Sequence, residues 1–323
     1  MPLVVELGDD VANGKPVNWY PGEEMNRFIA VFGASGSGKT ELLKRVASEV
    51  IRHGIPVLIF DFHGDVEVSH VNHVMMSSGF GSSVGINPLS IEGLNPQTHG
   101  LSDHRAEIVA MLRRAAPSLS QNQAHLLAEA MRTAYVMVGI EDRDPCTWNL
   151  PPPTFAHVQM VLASWSSDPD MKGRRDSING CAAVLGAIFG HSLFHCPRNL
   201  SVSEILGGNW RLNLEHLPES IQVIVVDTVL RLVFRRLRAM GSLPVKFGCD
   251  ADMYRIFVVI DEAKVIAGGQ GYPNKSTRIL NVIASEGRKF GMGMLLASQG
   301  RGDAFLKTGR SEYPVRIQIR LVE

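Results

Sequence analysis

Short, continuously apolar runs alternate along this chain with longer segments whose apolar positions recur at helical spacing. RFIAVFG at 27–33 and PVLIFD at 56–61 are two such runs, and the segment from Lys39 to about His53 between them carries a helical repeat. That order predicts a strand, helix, strand unit. RIFVVIDEA at 255–263 and GMGMLLASQ at 291–299 are further buried-strand candidates, with the helical pattern TRILNVIASEGRKF between them, and VRIQIRL at 315–321 predicts a closing strand. Runs that are apolar throughout suit strands buried on both faces, so the pattern predicts an α/β fold with a mainly parallel sheet.

Between about Asn95 and Leu206 the strand signals fade. Ser120 to Gln123 reads as a capping box opening a helix through about Val138, and Pro151 to Pro153 breaks the chain before a helical stretch at 154–165. The run IQVIVV at 221–226 has strand composition, yet Val226, Val229 or Leu230, Val233 and Leu237 continue at helical spacing, so a helix is expected. The expected organisation is an extended lead-in at 1–26 with turns at Gly8 to Asp10 and Asn13-Gly14. A first core half at 27–94, a mostly α-helical insertion at 95–206 and a second core half at 207–323 follow.

Composition narrows the classes. Lys plus Arg and Asp plus Glu are both 32 among 323 residues, for a formal net charge of zero. No general electrostatic pull toward a polyanion follows, and any such contact must be local. Cys146, Cys181, Cys196 and Cys249 form no CxxC pair, which argues against a structural zinc site or a disulfide framework and suits a reducing cytoplasm. No run approaches the ~18 apolar residues of a membrane span, so the expected location is cytoplasmic, reaching a membrane only peripherally through partners.

VFGASGSGKTELL at 31–43 concentrates the chemistry. Gly33, four residues, then Gly38, Lys39 and Thr40 make a phosphate-binding loop: backbone N–H groups wrap a β-phosphate and the following helix adds its positive end. Gly33, Ala34, Ser35, Gly36, Ser37, Gly38, Lys39, Thr40 and Glu41 are the nucleotide-binding candidates. Lys39 would reach the β- and γ-phosphates, and the Thr40 hydroxyl would ligate magnesium. Asp261-Glu262 ends an apolar strand, where Asp261 would hold the metal through water and Glu262 would polarise the attacking water. Gln299 ends the next strand at the carboxyl edge, suited to the γ-phosphate or the lytic water. Asp61 ends the second strand, adjacent to the phosphate-loop strand in most sheets of this kind, and either lies near the metal or caps a turn. His191, His195 and Cys196 have apolar neighbours and read as packing. RLVFRRLRAM, with Arg235, Arg236 and Arg238, reads as the exposed face of an amphipathic helix.

With these motifs in order, the chain resembles the FtsK/HerA superfamily of P-loop motors over nearly its whole length. VLIFDFHGDV is similar to the family's second strand, GINPLSI to the Asn-Pro-Leu segment of its HerA and secretion branches, VVIDEAKVIA to Walker B, and ASEGRKFGMGMLLASQ to the helix, strand and sensor glutamine. The resemblance implies a RecA-like core using ATP and Mg2+, a homo-hexameric ring with nucleotide between neighbours, and duplex DNA threaded through it. Nuclease or secretion and conjugation partners are also implied. It further implies an arginine acting on the γ-phosphate, for which Arg288 and Arg316 are candidates not assignable in cis or trans. Candidate DNA contacts are Tyr272 and Lys275 in AGGQGYPNKS, and Arg174 and Arg175 beside Lys172 in MKGRRD. Only about 26 residues precede the motor and Glu323 closely follows the closing strand, which the resemblance reads as a minimal motor or one without its tail. The helical insertion is more like the conjugation and secretion branch. The leading expectation is a hexameric double-stranded DNA translocase; the alternative is a conjugation or type IV secretion ATPase moving protein or nucleoprotein.

Overall fold

The computed structural model describes residues 3–21, 23, 27–77, 84–243, 250–267, 278–299 and 315–318. They fall into two compact units, one formed by Met1–Met76, Ser201–His216 and Met240–Glu323, the other by Ser77–Leu200 and Leu217–Ala239. This division departs from the insertion drawn at 95–206 from composition. The helical unit starts earlier and takes in the long helix expected in the second core half.

In the first unit the strands are β1 (Val5–Asp9), β2 (Pro16–Trp19), β3 (Phe28–Gly33), β4 (Val57–Asp61), β5 (Asn72–Met75), β6 (Trp210–Asn213), β7 (Ile256–Ile260), β8 (Met292–Gln299) and β9 (Val315–Gln318). β5-β6-β4-β7-β8-β3-β9 is the order of the main sheet, and every pairing in it is parallel. β3, β4 and β7 are buried at every residue, as their unbroken apolar runs require. Two readings are corrected. β4 is not adjacent to the phosphate-loop strand β3, because β7 and β8 intervene. Residues 5–19 are not a plain extended lead-in but an antiparallel hairpin, bulged between Glu6 and Gly8.

Helix α1 (Lys39–Arg52) follows β3 and buries Leu42, Leu43, Val46, Ala47 and Val50, one stripe at helical spacing. That stripe packs with Ile29, Val31, Val57, Ile59, Phe257, Val259, Leu295 and Ala297 of the sheet, and with Val5 and Trp19 of the hairpin. At about 1.5–3 kcal/mol for each fully buried large aliphatic side chain, this layer fixes the helix against the sheet.

The second unit holds α2 (Leu101–Ala115), α3 (Gln121–Met137), α4 (Phe155–Ser167), α5 (Arg175–Phe189) and α7 (Glu219–Ala239), while α6 (Val202–Leu206), α8 (Ala263–Ala267) and α9 (Arg278–Glu286) belong to the first. The capping box forms as expected: Gln123 N donates to Ser120 Oγ at 3.3 Å, and Ser120 N donates to Gln123 Oε1 at 2.9 Å. IQVIVV lies inside α7, so period outweighs composition there. Asn87 of the Asn-Pro-Leu segment is buried, accepts from Leu89 N at 3.0 Å and donates to Pro153 O at 2.9 Å, a structural staple.

The expected all-exposed arginine face of α7 is also corrected. Arg236 and Arg238 are exposed, but Arg235 is largely covered and donates to Glu107 Oε2 at 3.1 Å and to His104 Nδ1 at 2.6 Å. Arg231 pairs with Asp227 and, at 3.1 Å, with Glu107, while Arg114 reaches Asp227 at 2.6 Å. An apolar helix face can therefore carry arginines inward when acids meet them there, Asp227 from α7 itself and Glu107 from α2. Burial, with help from Arg235, His99 and Arg231, holds His104 well below the usual histidine range. His195 bonds the Phe189 carbonyl and the His191 ring lies tilted beside that of Phe194, in keeping with packing roles. No helix among the described residues is long and apolar enough to cross a membrane.

Candidate functional site

The loop between β3 and α1 turns on Gly36 (φ 75°) and Gly38 (φ 88°), left-handed conformations that side-chain-bearing residues rarely adopt. Gly38 sits at the N-cap of α1 without a side-chain cap, so no side chain satisfies the first N–H groups of the helix, which present an anion site at the carboxyl edge of the sheet. Lys39 folds back over this loop, and its Nζ donates to Gly33 O at 2.9 Å and Ala34 O at 2.7 Å. Ser37 Oγ is buried without a partner, while exposed Glu41 pairs with Lys44 at 2.9 Å instead of turning to the loop.

The acidic pair follows β7. Asp261 is 6% exposed, its Oδ1 accepts from Phe62 N at 3.0 Å, and its Oδ2 is buried with no hydrogen-bond partner. Burial is the main cause that pushes the Asp261 carboxyl up to about 8; the neighbouring Asp61, Asp65 and Glu262 charges add to it and the Phe62 N–H opposes it. An orphaned, desolvated carboxylate oxygen in an acidic neighbourhood is the environment that a divalent cation relieves. Glu262 Oε1 accepts from Ser298 Oγ at 3.2 Å, both residues being buried. One residue further on, Gln299 is exposed and in register with Gly33, so the sensor candidate and the loop share one edge.

Asp61 meets both of its alternatives, capping a turn while its carboxylate stands beside those of Asp65 and Asp261. Its Oδ1 accepts from His63 N at 3.2 Å and Gly64 N at 2.8 Å, and its Oδ2 accepts from Val66 N at 3.0 Å and Arg211 Nε at 2.7 Å. A residue missed by the sequence reading completes the cluster: Asp65 Oδ2 accepts from Thr40 Oγ1 at 3.3 Å. Carboxylate oxygens of Asp61, Asp65 and Asp261 lie within 4.8 Å of one another. Thr40, Asp65 and Asp261 are an all-oxygen donor set that fits Mg2+, which prefers such ligands. The available signal was a second acid shortly after the strand-ending Asp, beyond a Gly, in FDFHGD.

Other candidates lie elsewhere. Arg288 is in the turn Gly287–Phe290 that leads into β8, and β8 runs parallel to β3 toward Gln299. It therefore sits at the amino edge, roughly 26 Å of strand from its own phosphate loop. The backbone of Arg316 pairs with Ala30 in the middle of β3. Arg174 pairs with Glu129 at 2.7 Å in the helical unit, and Arg175 opens α5 there. Tyr272 and Lys275 lie outside the described residues.

Residues 16–141 match the family model described as helicase HerA, central domain. No curated protein matches the chain in sequence. Among solved structures, VirB4 of Thermoanaerobacter pseudethanolicus is similar at 18% identity and a TM-score of 0.69, covering 95% of this chain and 79% of that one. The plasmid coupling protein TrwB is similar at 15% identity, with a TM-score of 0.63 in complex with the ATP analogue ADPNP and 0.62 with ADP and Mg2+; each covers 96% of this chain and 73% of that one. At these identities the structural likeness establishes the fold, a RecA-like P-loop core.

Proposed function

We propose that this chain is a P-loop ATPase of the HerA/FtsK type, in keeping with the family match over residues 16–141 and the likeness in fold to VirB4, and that it hydrolyses Mg-ATP as a motor of the conjugation or type IV secretion kind, energising transfer of protein or nucleoprotein. The carrying observation is that the likeness to VirB4 extends over 95% of this chain and so takes in the helical unit along with the core. The TrwB structures with an ATP analogue and with ADP and Mg2+ support the choice of nucleotide and metal.

In this reading the loop N–H groups and Lys39 hold the triphosphate, and Lys39 exchanges its bonds to Gly33 O and Ala34 O for phosphate oxygens. Thr40, Asp65 and Asp261 would hold a magnesium ion, which would supply charge neutralisation to the triphosphate. Glu262 takes a proton from the attacking water, aligned by Ser298, and Gln299 contacts the γ-phosphate. Arg288, at the opposite edge from its own loop, serves a neighbouring subunit of a homo-oligomeric ring if it serves catalysis, and Arg316 is the second candidate.

The HerA central-domain match favours a second reading, a hexameric translocase of double-stranded DNA. Purification from its native host separates the two. Recovery with membrane-associated secretion proteins and an ATPase rate indifferent to duplex DNA supports the transfer motor. Strong stimulation by long duplex without such partners supports the translocase.

A further inference from the structure

Asp65 is exposed, and its carboxylate stands beside Thr40 only because the backbone on either side of it is fixed. The polar groups flanking it are bound by one buried ion pair. Gly64 N and Val66 N donate to Asp61, at 2.8 and 3.0 Å, and Gly64 O accepts from Arg211 Nη2 at 2.7 Å. Arg211 also donates to Asp61 Oδ2 through Nε at 2.7 Å and lies 2.6 Å from it through Nη2. Both side chains are closed off from solvent, Asp61 at 0% and Arg211 at 7% exposure. Gly64, at φ 77°, completes the turn, and a Cβ there would stand 2.3 Å from Glu215 Oε2. Arg211 comes from β6, paired with Ile59 of β4, in the core segment 201–216 that the chain enters from one part of the helical unit and leaves for the other.

We infer that Arg211 is a positioning residue for the nucleotide-bound divalent cation, acting through Asp61 and the backbone of residues 64–66 on Asp65. Its guanidinium neutralises Asp61 and saturates that carboxylate, keeping it a turn cap, and locks the carbonyl that precedes Asp65. A lysine can supply the charge but not the planar fork that spans a carboxylate and a carbonyl together. The inference rests on the Mg-ATP reading of the site.

The test uses the whole chain and Mg2+ titrations of the release of a fluorescent ADP analogue, which need no turnover. Arg211→Lys is expected to raise the Mg2+ concentration for half-maximal retention about tenfold, the scale of lost outer-shell support at metal sites, while metal-free nucleotide affinity changes less than about twofold. In an Asp65→Ala background Arg211→Lys is expected to add nothing, the non-additivity of residues acting through one another. Gly64→Ala, which disturbs the same turn with both side chains of the ion pair left in place, is expected to give the same shift and the same loss of effect in Asp65→Ala. An equal Mg2+ shift from Arg211→Lys with and without Asp65, or a fall in melting temperature with unchanged Mg2+ dependence, overturns the inference. Absence of ATP hydrolysis by the wild type overturns the motor reading instead, since the release measurement stands without it.

Discussion

Thr40 Oγ1 donates to Asp65 Oδ2 across 3.3 Å, joining the first turn of the phosphate-loop helix to a loop residue 25 positions on. The hydroxyl opens the crossover helix α1 and the carboxylate follows β4, which that helix leads into, and the Asp261 carboxylate stands in the same acidic group. Three elements of the core thus bring oxygens to one candidate cation position.

Asp65→Asn is therefore expected to raise the Mg2+ requirement for ATP hydrolysis by about 10- to 100-fold with little change in metal-free nucleotide binding. Hydrolysis measured against Mg2+ at saturating ATP checks it, and an unchanged Mg2+ curve removes Asp65 from the site.

Ser298 anchors Glu262, so Ser298→Ala is expected to lower kcat about tenfold, on the scale of a lost hydrogen bond to a charged group, leaving KM unchanged. Ser298→Thr keeps the hydroxyl and should retain most of the rate. A change in KM alone would assign Ser298 to substrate binding.

His104 carries a pH signature in the helical unit. Its folded pKa is depressed by burial first, then by Arg235, His99 and Arg231, so around and below the usual histidine value the unfolded chain binds a proton that the folded one does not. Stability from this group is thus present above the unfolded pKa near 6.5 and is lost as pH falls. Denaturant melts across that range are expected to show the loss in wild type and a flatter profile in His104→Gln.

Asp227 is the buried acid between Arg114 and Arg231, with a side chain 1% exposed. Asp227→Ala leaves the covered Arg114 without its acid and Arg231 with Glu107 alone, and is expected to cost about 3–5 kcal/mol of stability. Chemical denaturation followed in the helical unit checks this, and a cost under about 1 kcal/mol would mean that water reaches the arginines.

Much of the core was legible because its strands are buried on both faces and spell unbroken apolar runs: β3, β4 and β8 fall within a residue of their expected spans, and β7 ends three residues before the run at 255–263 does. The edge-side strands β5 and β6 were not. NHVM and WRLN are four residues each, and pairing, of β6 with β4 and of β5 with β6, decides their state more than their own pattern does. The phosphate loop and Asp261-Glu262 were readable from glycine spacing and from acids ending an apolar strand. Asp65 was not, since its place depends on a turn capped by Asp61 and on Arg211, which is 150 residues from Asp61. Periodicity reports that a helix is apolar on one face, but not that a second helix brings an acid to it, and so Arg235 was misplaced.

The most direct test of the Mg-ATPase reading is single-turnover hydrolysis of ATP by the wild type and by Glu262→Gln, each with nucleotide binding measured in parallel. The expected result is Mg2+-dependent hydrolysis by the wild type and a loss on the order of 10²–10⁴-fold in the variant with binding retained. Equal hydrolysis by the two proteins, or none by a wild type that binds nucleotide, would contradict it.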